Sequence, residues 1–86
     1  MTTTEPGTDL TIYSTVWCGY CHRLKSQMTR EGIVFTEIDI EIDAVAAAYV
    51  ESVNGGNQTV PTLLFADGTA LSNPAIGEVK QQLGRI

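Results

Sequence analysis

Both cysteines of this 86-residue chain lie in one tetrapeptide, Cys18-Gly19-Tyr20-Cys21. A disulfide across so short a loop would restrict the unfolded chain by only about 2 kcal/mol, so the pair is a poor structural link. In a reducing compartment, two close thiols are more often catalytic or metal-binding than structural. The spacing therefore indicates thiol–disulfide exchange or metal binding as the chemistry to consider.

The position of the pair favours thiol–disulfide exchange. Residues 10–14 alternate as a short strand, and a helical pattern begins at Cys18. That pattern places Cys21, Leu24 and Met28 on one face. Free amides and the macrodipole at a helix N-terminus stabilise a negatively charged sulfur. We therefore predict Cys18 as the nucleophile, and Cys21 either as the thiol that resolves the mixed disulfide or as a small buried apolar residue.

A metal site is the competing interpretation of the same residues. Zinc commonly takes two close pairs of ligands. This chain has one Cys-x-x-Cys and one histidine, His22, which follows Cys21 and points to a different helix face. A zinc site within one chain is therefore disfavoured, and we predict no metal ligands. An iron–sulfur cluster shared between two chains, with further ligands from small thiols and room left by Gly19, stays open as an alternative.

Charge and length argue against several classes of protein. Ten acidic and five basic residues give a net charge of −5, which disfavours a nucleic-acid module. We interpret the acidic stretch 37–51 as a solvated face, with a docking site as the alternative. No apolar run approaches the roughly 18–20 residues of a membrane span. The polar segment 1–9 lacks the features of a secretory signal, so we expect a flexible leader there, one domain over 10–86 and a cytoplasmic location.

The rest of the sequence predicts the elements that hold the dithiol. Gly32 is placed to end the first helix, and Asp43 is a good N-cap for the second. Asn73-Pro74 is typical of the start of a last helix. The other predicted elements are strands at 34–40, 62–66 and 69–71 and a helix at 44–53. The order βαβαββα, with a parallel first crossover and a final hairpin, predicts an α/β fold with a four-stranded mixed sheet flanked by three helices.

A second signal stands directly before a predicted strand, in Thr59-Val60-Pro61. Proline cannot donate to a strand ladder, so its place at a strand start marks a special geometry. Because only about 5–6% of X-Pro bonds in folded proteins are cis, the residues alone favour an ordinary trans bond. Together with Trp17-Cys18-Gly19-Tyr20-Cys21 and the element order, however, this segment resembles the glutaredoxin branch of the thioredoxin fold over residues 10–83.

This resemblance implies roles for particular residues. It implies a cis Pro61 packed beside the dithiol, with the backbone of Val60 pairing with an extended thiol substrate as a strand does. Trp17 and Tyr20 would shape the same groove. The residues that would supply polar contacts are Thr59, Ser72 and Asn73. The alternative for these last three is a role in a loop or a helix cap.

Further segments resemble the mycoredoxins, which are actinobacterial glutaredoxin-like proteins. These segments are Ile12-Tyr13-Ser14, Arg23-Leu24-Lys25, Ser52-Val53-Asn54-Gly55-Gly56-Asn57, Phe65-Ala66-Asp67-Gly68 and Ser72-Asn73-Pro74. The resemblance implies an oxidoreductase that reduces mixed disulfides between proteins and mycothiol, the low-molecular-weight thiol that those bacteria use in place of glutathione. It implies no bound cofactor, mycothiol as the reducing co-substrate with NADPH acting through a reductase, and a monomer without nucleic-acid or membrane partners.

Departures from other redoxins bear on the choice of thiol. Glutathione-using relatives often carry a lysine shortly before the first cysteine, where this chain has Ser14-Thr15-Val16. They also often have a Gly-Gly-x-Asp stretch before the last helix, where this chain has Leu71-Ser72-Asn73-Pro74-Ala75. The sequence lacks the Trp-Ser-Gly-Phe stretch common in redoxins that feed ribonucleotide reductase. A redoxin fed by glutathione or by thioredoxin reductase, including a donor to ribonucleotide reductase, is therefore the alternative within the same chemistry.

Overall fold

Strands and helices alternate along residues 10–84, the part of the chain that the computed structural model describes. The elements are β1 (Thr11–Ser14), α1 (Gly19–Arg30), β2 (Thr36–Asp39), α2 (Ala44–Val53), β3 (Thr62–Leu64), β4 (Ala70–Ser72) and α3 (Ile76–Gln82). The predicted order βαβαββα is confirmed. No helix in this range is long and apolar enough to cross a membrane. The predicted leader, 1–9, lies outside the described residues, as do 85–86.

The four strands form one mixed sheet in the order β2-β1-β3-β4. Strand β1 runs parallel to β2 and antiparallel to β3, with Tyr13 opposite Thr62. The last residues of β1 and β2 and the first residue of β3 therefore meet at one end of the sheet. The segments next to these strand ends are 15–18, 40–43 and 59–61, and we call the surface that they form the dithiol end.

Alternation along the central strand β1 divides the core between the two faces of the sheet. Ile12 is buried on the face that α1 and α3 cover, whereas Tyr13 packs on the other face with α2. The first cluster comprises Leu10, Ile12, Leu24, Met28, Ile33, Leu63, Phe65 and Val79, and the second comprises Tyr13, Ile40, Ala46 and Val50. This packing holds α1 against the strand that leads into it, so the helix N-terminus stays at the dithiol end.

Helix α1 ends as the sequence predicts. Gly32 adopts the left-handed conformation, with φ +75°. The N–H of Gly32 donates to the carbonyl of Thr29 at 3.1 Å, and the N–H of Ile33 donates to the carbonyl of Met28 at 2.9 Å. These two bonds define a Schellman ending, in which the buried side chains of Ile33 and Met28 belong to the same cluster.

The predicted start of the last helix is wrong. Helix α3 begins at Ile76 with Ala75 as its N-cap, and not at Asn73-Pro74. Asn73 takes φ +49°, and its N–H donates to the carbonyl of Pro61 at 2.7 Å. Asn73 therefore continues the pairing of β4 with the start of β3 instead of capping a helix. The carboxylate of Glu78 accepts the N–H of Ala75 at 2.8 Å and closes the first turn.

The strands differ from the predicted bounds by a few residues. The predicted strand 34–40 is reduced to Thr36–Asp39. The residues directly before Thr36 belong to the loop that follows the Schellman ending of α1. In the hairpin, the N–H of Phe65 donates to the carbonyl of Thr69 at 2.8 Å, so these residues close the loop. Strand β3 ends at Leu64, whereas the prediction was 62–66, and β4 spans Ala70–Ser72, whereas the prediction was 69–71.

We predict that Gly32→Ala lowers the free energy of unfolding by about 1 kcal/mol, because a residue with a Cβ is strained in the left-handed conformation. Nothing lies within 4 Å of the added methyl group, so the change tests the backbone alone. Gly77→Ala in α3, also in open space, is the matched control and should raise stability by about 0.5–1 kcal/mol. Urea denaturation measures both, and equal effects would contradict this account of the helix ending.

Candidate active site

The sulfur of Cys18 occupies the position of an N-cap side chain at the start of α1. The backbone of Cys18 is extended, with φ −83° and ψ 109°, and its Sγ accepts the N–H of Cys21 at 3.1 Å. An N-cap atom pairs with a helix amide that has no other partner and lies at the positive end of the helix dipole. A thiolate formed at this position during reaction would keep the amide of Cys21 as its hydrogen-bond donor. Among the free amides of the first turn of α1, that of Cys21 makes the hydrogen bond to this sulfur.

The backbone of Val60 flanks the same sulfur. Its carbonyl oxygen lies 3.9 Å from Sγ of Cys18. The Val60–Pro61 bond is cis, as the resemblance to glutaredoxins implies, and Pro61 is buried. An extended substrate bound at the sulfur could pair with this stretch of backbone as a strand does.

Cys21 is fully buried one helical turn beyond Cys18. Burial raises the pKa of the Cys21 thiol to about 12, and a hydrogen bond with Cys18 adds to the rise, whereas the Thr15 backbone and the charge of Lys25 oppose it. Residues three apart on a helix are neighbours, so the two sulfurs can meet with little backbone movement. Both cysteines are unpaired and buried, and Cys21 is the more deeply buried of the two, at 0% exposure against 4% for Cys18.

Two exposed aromatic side chains lie beside the dithiol. Trp17 and Tyr20 are 67% and 65% exposed. The indole N–H of Trp17 donates to Oε2 of Glu41 at 2.8 Å, and Nε2 of His22 lies within hydrogen-bond distance, 2.8 Å, of the carbonyl oxygen of Val16. These contacts hold the segment that precedes the dithiol. Sequence reasoning missed Glu41, although the parallel crossover, which brings the segments after β1 and β2 together, was a signal that could have found it.

A groove of about 240 Å³ opens beside Tyr20, between α1 and the segment that leads into α3. Arg23 and Gln27 line it on the side of α1, and Asn73 lines it on the other. A guanidinium and two amide side chains can hydrogen-bond hydroxyl, carbonyl or carboxylate groups of a small ligand. The structure thus brings the predicted residues Tyr20 and Asn73 together. Arg23 and Gln27 were not predicted here, although a spacing of three and seven residues from Tyr20 puts them on its helix face.

The other two predicted polar residues make contacts within the fold. The hydroxyl of Ser72 donates to Oδ1 of Asn54, whose Nδ2 donates to the carbonyl of Val50 at 2.8 Å and to Oγ1 of Thr62 at 3.2 Å. The carbonyl of Thr59 accepts the hydroxyl of Thr62 at 2.7 Å. These bonds brace the loop that carries the cis bond. A substrate contact from Thr59 or Ser72 stays a prediction.

The charge of Lys25 is offset by an acidic partner. Its Nζ lies 2.6 Å from Oε2 of Glu37, which also accepts the hydroxyl of Ser14 at 2.7 Å. The bonds from Lys25 and Ser14 lower the pKa of Glu37, so this carboxylate stays ionised beside the lysine. The carboxylate of Glu37 therefore offsets the positive charge that Lys25 contributes near the dithiol.

Within residues 10–84, no three side chains of His, Cys, Asp or Glu converge as a metal site requires. A methyl group built on Gly19 would meet nothing within 4 Å, so the space next to Cys18 is open. A cluster shared between two chains would need its other ligands from outside this chain. That alternative stays a prediction.

The raised pKa of Cys21 predicts how stability depends on pH. Because this pKa lies above the ordinary thiol value of 9.0, the stabilising contribution is complete below about pH 9 and is lost as the pH rises toward 12. Under reducing conditions the protein should lose stability above pH 9 more steeply than Cys21→Ala, by at most about 1.4 kcal/mol per pH unit. Urea denaturation over this pH range measures the difference. Parallel curves would contradict a neutral, buried Cys21.

Trp17 is the only tryptophan of the chain, so its fluorescence reports the contact with Glu41 directly. We predict that Glu41→Ala releases the indole and increases its fast motion in time-resolved anisotropy. The free energy of unfolding should fall by the contribution of one hydrogen bond, about 0.5–1.5 kcal/mol. Glu41→Gln keeps an acceptor oxygen and is the control. If the anisotropy decay of Glu41→Ala matches that of the unsubstituted protein, Glu41 does not hold the indole.

Known proteins share this fold and sequence. The glutaredoxin family model matches residues 10–70. A Mycobacterium tuberculosis (strain H37Rv) protein named as a glutaredoxin is 57% identical over 77 residues, which cover 90% of this chain and 92% of that protein. Mycoredoxin 1 of Corynebacterium glutamicum is 42% identical over 71 residues, which cover 83% of this chain and 87% of that protein. The methanoredoxin of Methanosarcina acetivorans superposes with a TM-score of 0.78 at 19% identity, covering 91% of this chain and 86% of its own.

These matches carry different weight. The superposition, at 19% identity, shows that the thioredoxin-like fold is shared. The family model extends over more than half of the chain and includes Cys18, Cys21 and Pro61. The two relatives are similar along most of their own length. The chain therefore belongs to the glutaredoxin family of thiol–disulfide oxidoreductases.

Proposed function

We propose that this protein reduces mixed disulfides between proteins and mycothiol. The observation that carries the redox chemistry is the position of the Cys18 sulfur, which accepts the amide of Cys21 at 3.1 Å and faces the carbonyl of Val60. The choice of mycothiol is supported by the 42% identity to Mycoredoxin 1. It is also supported by the absence of a lysine from Ser14-Thr15-Val16.

The proposed reaction consists of two thiol–disulfide exchanges. The Cys18 thiolate attacks the mycothiol sulfur of the substrate, forms a disulfide between Cys18 and mycothiol, and releases the protein thiolate. A second mycothiol thiolate then attacks the mycothiol sulfur of this adduct, forms mycothiol disulfide and releases the Cys18 thiolate. In sum, the mixed disulfide and one free mycothiol thiolate give the protein thiolate and mycothiol disulfide, and a reductase then transfers two electrons from NADPH to return mycothiol disulfide to two mycothiol thiols.

Cys21 offers a second way to resolve the adduct. After losing its proton, Cys21 attacks the sulfur of Cys18, forms the intramolecular disulfide and releases mycothiol. Burial holds the pKa of Cys21 high, which works against this route. Part of the rise, however, comes from Cys18 itself, and it is removed once Cys18 is bound in a mixed disulfide. The resolving thiolate therefore forms more readily in the adduct than in the reduced protein.

The residues around the sulfur receive distinct roles in this proposal. Trp17, Tyr20, Val60 and Pro61 shape the surface against which the mixed disulfide lies. The polar contacts come from Thr59, Ser72 and Asn73, of which Asn73 lines the groove beside Tyr20. The mycothiol half of the substrate would lie in this groove, where polar side chains surround a ligand of small size.

The proposed setting follows from the same chemistry. Electrons come from mycothiol and, through mycothiol disulfide reductase, from NADPH, so the protein needs no bound cofactor of its own. Its partners would be S-mycothiolated proteins and the mycothiol system. We propose that it acts as a monomer in the cytoplasm, without nucleic-acid or membrane partners.

A coupled assay tests the proposal. With NADPH, mycothiol and mycothiol disulfide reductase, the protein should reduce a mycothiolated substrate, whereas NADPH with thioredoxin reductase alone should support no turnover. Cys18→Ser should reduce turnover to the uncatalysed rate and still fold, because serine is a good N-cap. Circular dichroism checks the fold of the variant. Turnover only with thioredoxin reductase would contradict the assignment of mycothiol and leave the redox chemistry of Cys18 intact.

A further inference from the structure

Four apolar side chains project into solvent on one flank of the dithiol. Val16, Trp17, Ile42 and Val45 are 71%, 67%, 86% and 81% exposed, and we call these four residues the apolar patch. Single exposed apolar residues are common on protein surfaces and need no explanation. A group of neighbouring exposed apolar residues that is surrounded by polar residues is typical of a protein–protein contact surface.

The sheet topology brings the four residues of the apolar patch together. Val16 and Trp17 follow β1, whereas Ile42 and Val45 follow β2, and the two strands are parallel. The hydrogen bond of 2.8 Å from Trp17 to Glu41, the residue before Ile42, joins the two segments directly. The apolar patch is therefore continuous with the segment that carries the reacting sulfur.

Hydrogen bonds fix both segments of the apolar patch. Nε2 of His22 lies 2.8 Å from the carbonyl oxygen of Val16. In the second segment, the N–H of Glu41 donates to Oδ1 of Asp39 at 2.8 Å, and the side chain of Asp43 caps α2. A surface held in one arrangement loses less conformational entropy when a partner binds. The backbone of the apolar patch is therefore preorganised in the free protein.

The charges around the apolar patch indicate which partner fits. Asp39, Glu41 and Asp43 stand in its second segment, and neither 15–17 nor 39–45 contains a lysine or arginine. Two copies joined through this surface would bring like charges together, and an anionic lipid surface would be repelled in the same way. A polypeptide with basic side chains would be attracted.

We propose that the apolar patch docks the protein half of the mixed disulfide, at a segment in which an apolar side chain and a lysine or arginine lie next to the modified cysteine. This inference rests on the proposed function. The two halves of a mixed disulfide are attached to different sulfurs and leave the bond in different directions, because the C–S–S–C dihedral is about 90°. The small thiol takes the groove beside Tyr20 and Arg23, and the protein takes the opposite flank, so both halves are held at once.

Three synthetic peptides of equal length, each with one mycothiolated cysteine, test this specificity. Their flanking residues are leucine with lysine, leucine with glutamate, or serine with lysine. The first should have a kcat/KM about tenfold higher than either of the others, because it alone supplies both apolar contact and opposite charge. Its advantage over the glutamate peptide should shrink as salt is added. Equal rates would overturn the inference, whereas reduction of none of them would contradict the proposed function.

A double substitution, Ile42→Ser with Val45→Ser, assigns the effect to the apolar patch. It should lower kcat/KM for the leucine–lysine peptide about tenfold and leave unchanged the reduction of the mixed disulfide between mycothiol and 2-mercaptoethanol. Val34→Ser is the matched control, because Val34 is 46% exposed and precedes β2 at the opposite end of the sheet. An unchanged peptide rate in the double variant, or an equal loss in Val34→Ser, overturns the inference.

Two binding measurements address other occupants of the apolar patch. Sedimentation velocity should show a monomer for both the unsubstituted protein and the double variant. Neither should bind vesicles that contain phosphatidylglycerol. A dimer, or vesicle binding, that the double substitution abolishes would assign the apolar patch to a different partner and overturn the inference.

Discussion

The hydrogen bond from the amide of Cys21 to the sulfur of Cys18 is the interaction that the fold positions and on which the proposed chemistry depends. It forms because α1 begins at Gly19 and the side chain of Cys18, the N-cap residue, lies over the first turn of the helix. The packing of Leu24 and Met28 against β1 keeps that turn at the end of the sheet. The same geometry distinguishes the two thiols, since the sulfur of Cys18 accepts a helix amide at the positive end of the helix dipole, whereas burial raises the pKa of Cys21.

The sheet gives this sulfur two chemically different flanks. A parallel pair of strands brings the segments after β1 and β2 to one side, where they are apolar and acidic. The antiparallel hairpin of β3 and β4 brings Asn73 to the other side, where Arg23 and Gln27 complete a polar groove. A mixed disulfide is itself unsymmetrical, with a small thiol on one side and a polypeptide on the other. The two flanks match that asymmetry, and the Val60 backbone lies beside the sulfur where they meet.

Much of the fold could be predicted because its signals are local. Periodicity and capping residues such as Asp43 and Gly32 report on their own helices, and the structure confirms both. Prediction failed at Asn73, where a backbone hydrogen bond across the sheet to Pro61 overrides the local preference for a helix start. It also missed Glu41, because its contact with Trp17 spans 24 positions and no local pattern reports it. The cis bond followed only from the resemblance to a family.

The trapping of a small thiol on Cys18 tests the central claim most directly. Cys21→Ser, which leaves Cys18 as the only thiol, is incubated with equal concentrations of mycothiol disulfide and glutathione disulfide and analysed by mass spectrometry. We expect a predominant mycothiol adduct on Cys21→Ser and no adduct on Cys18→Ser, because burial raises the pKa of Cys21 to about 12 and keeps its thiol protonated. A predominant glutathione adduct would contradict the assignment of mycothiol, and an adduct on Cys18→Ser would reverse the roles of the two cysteines.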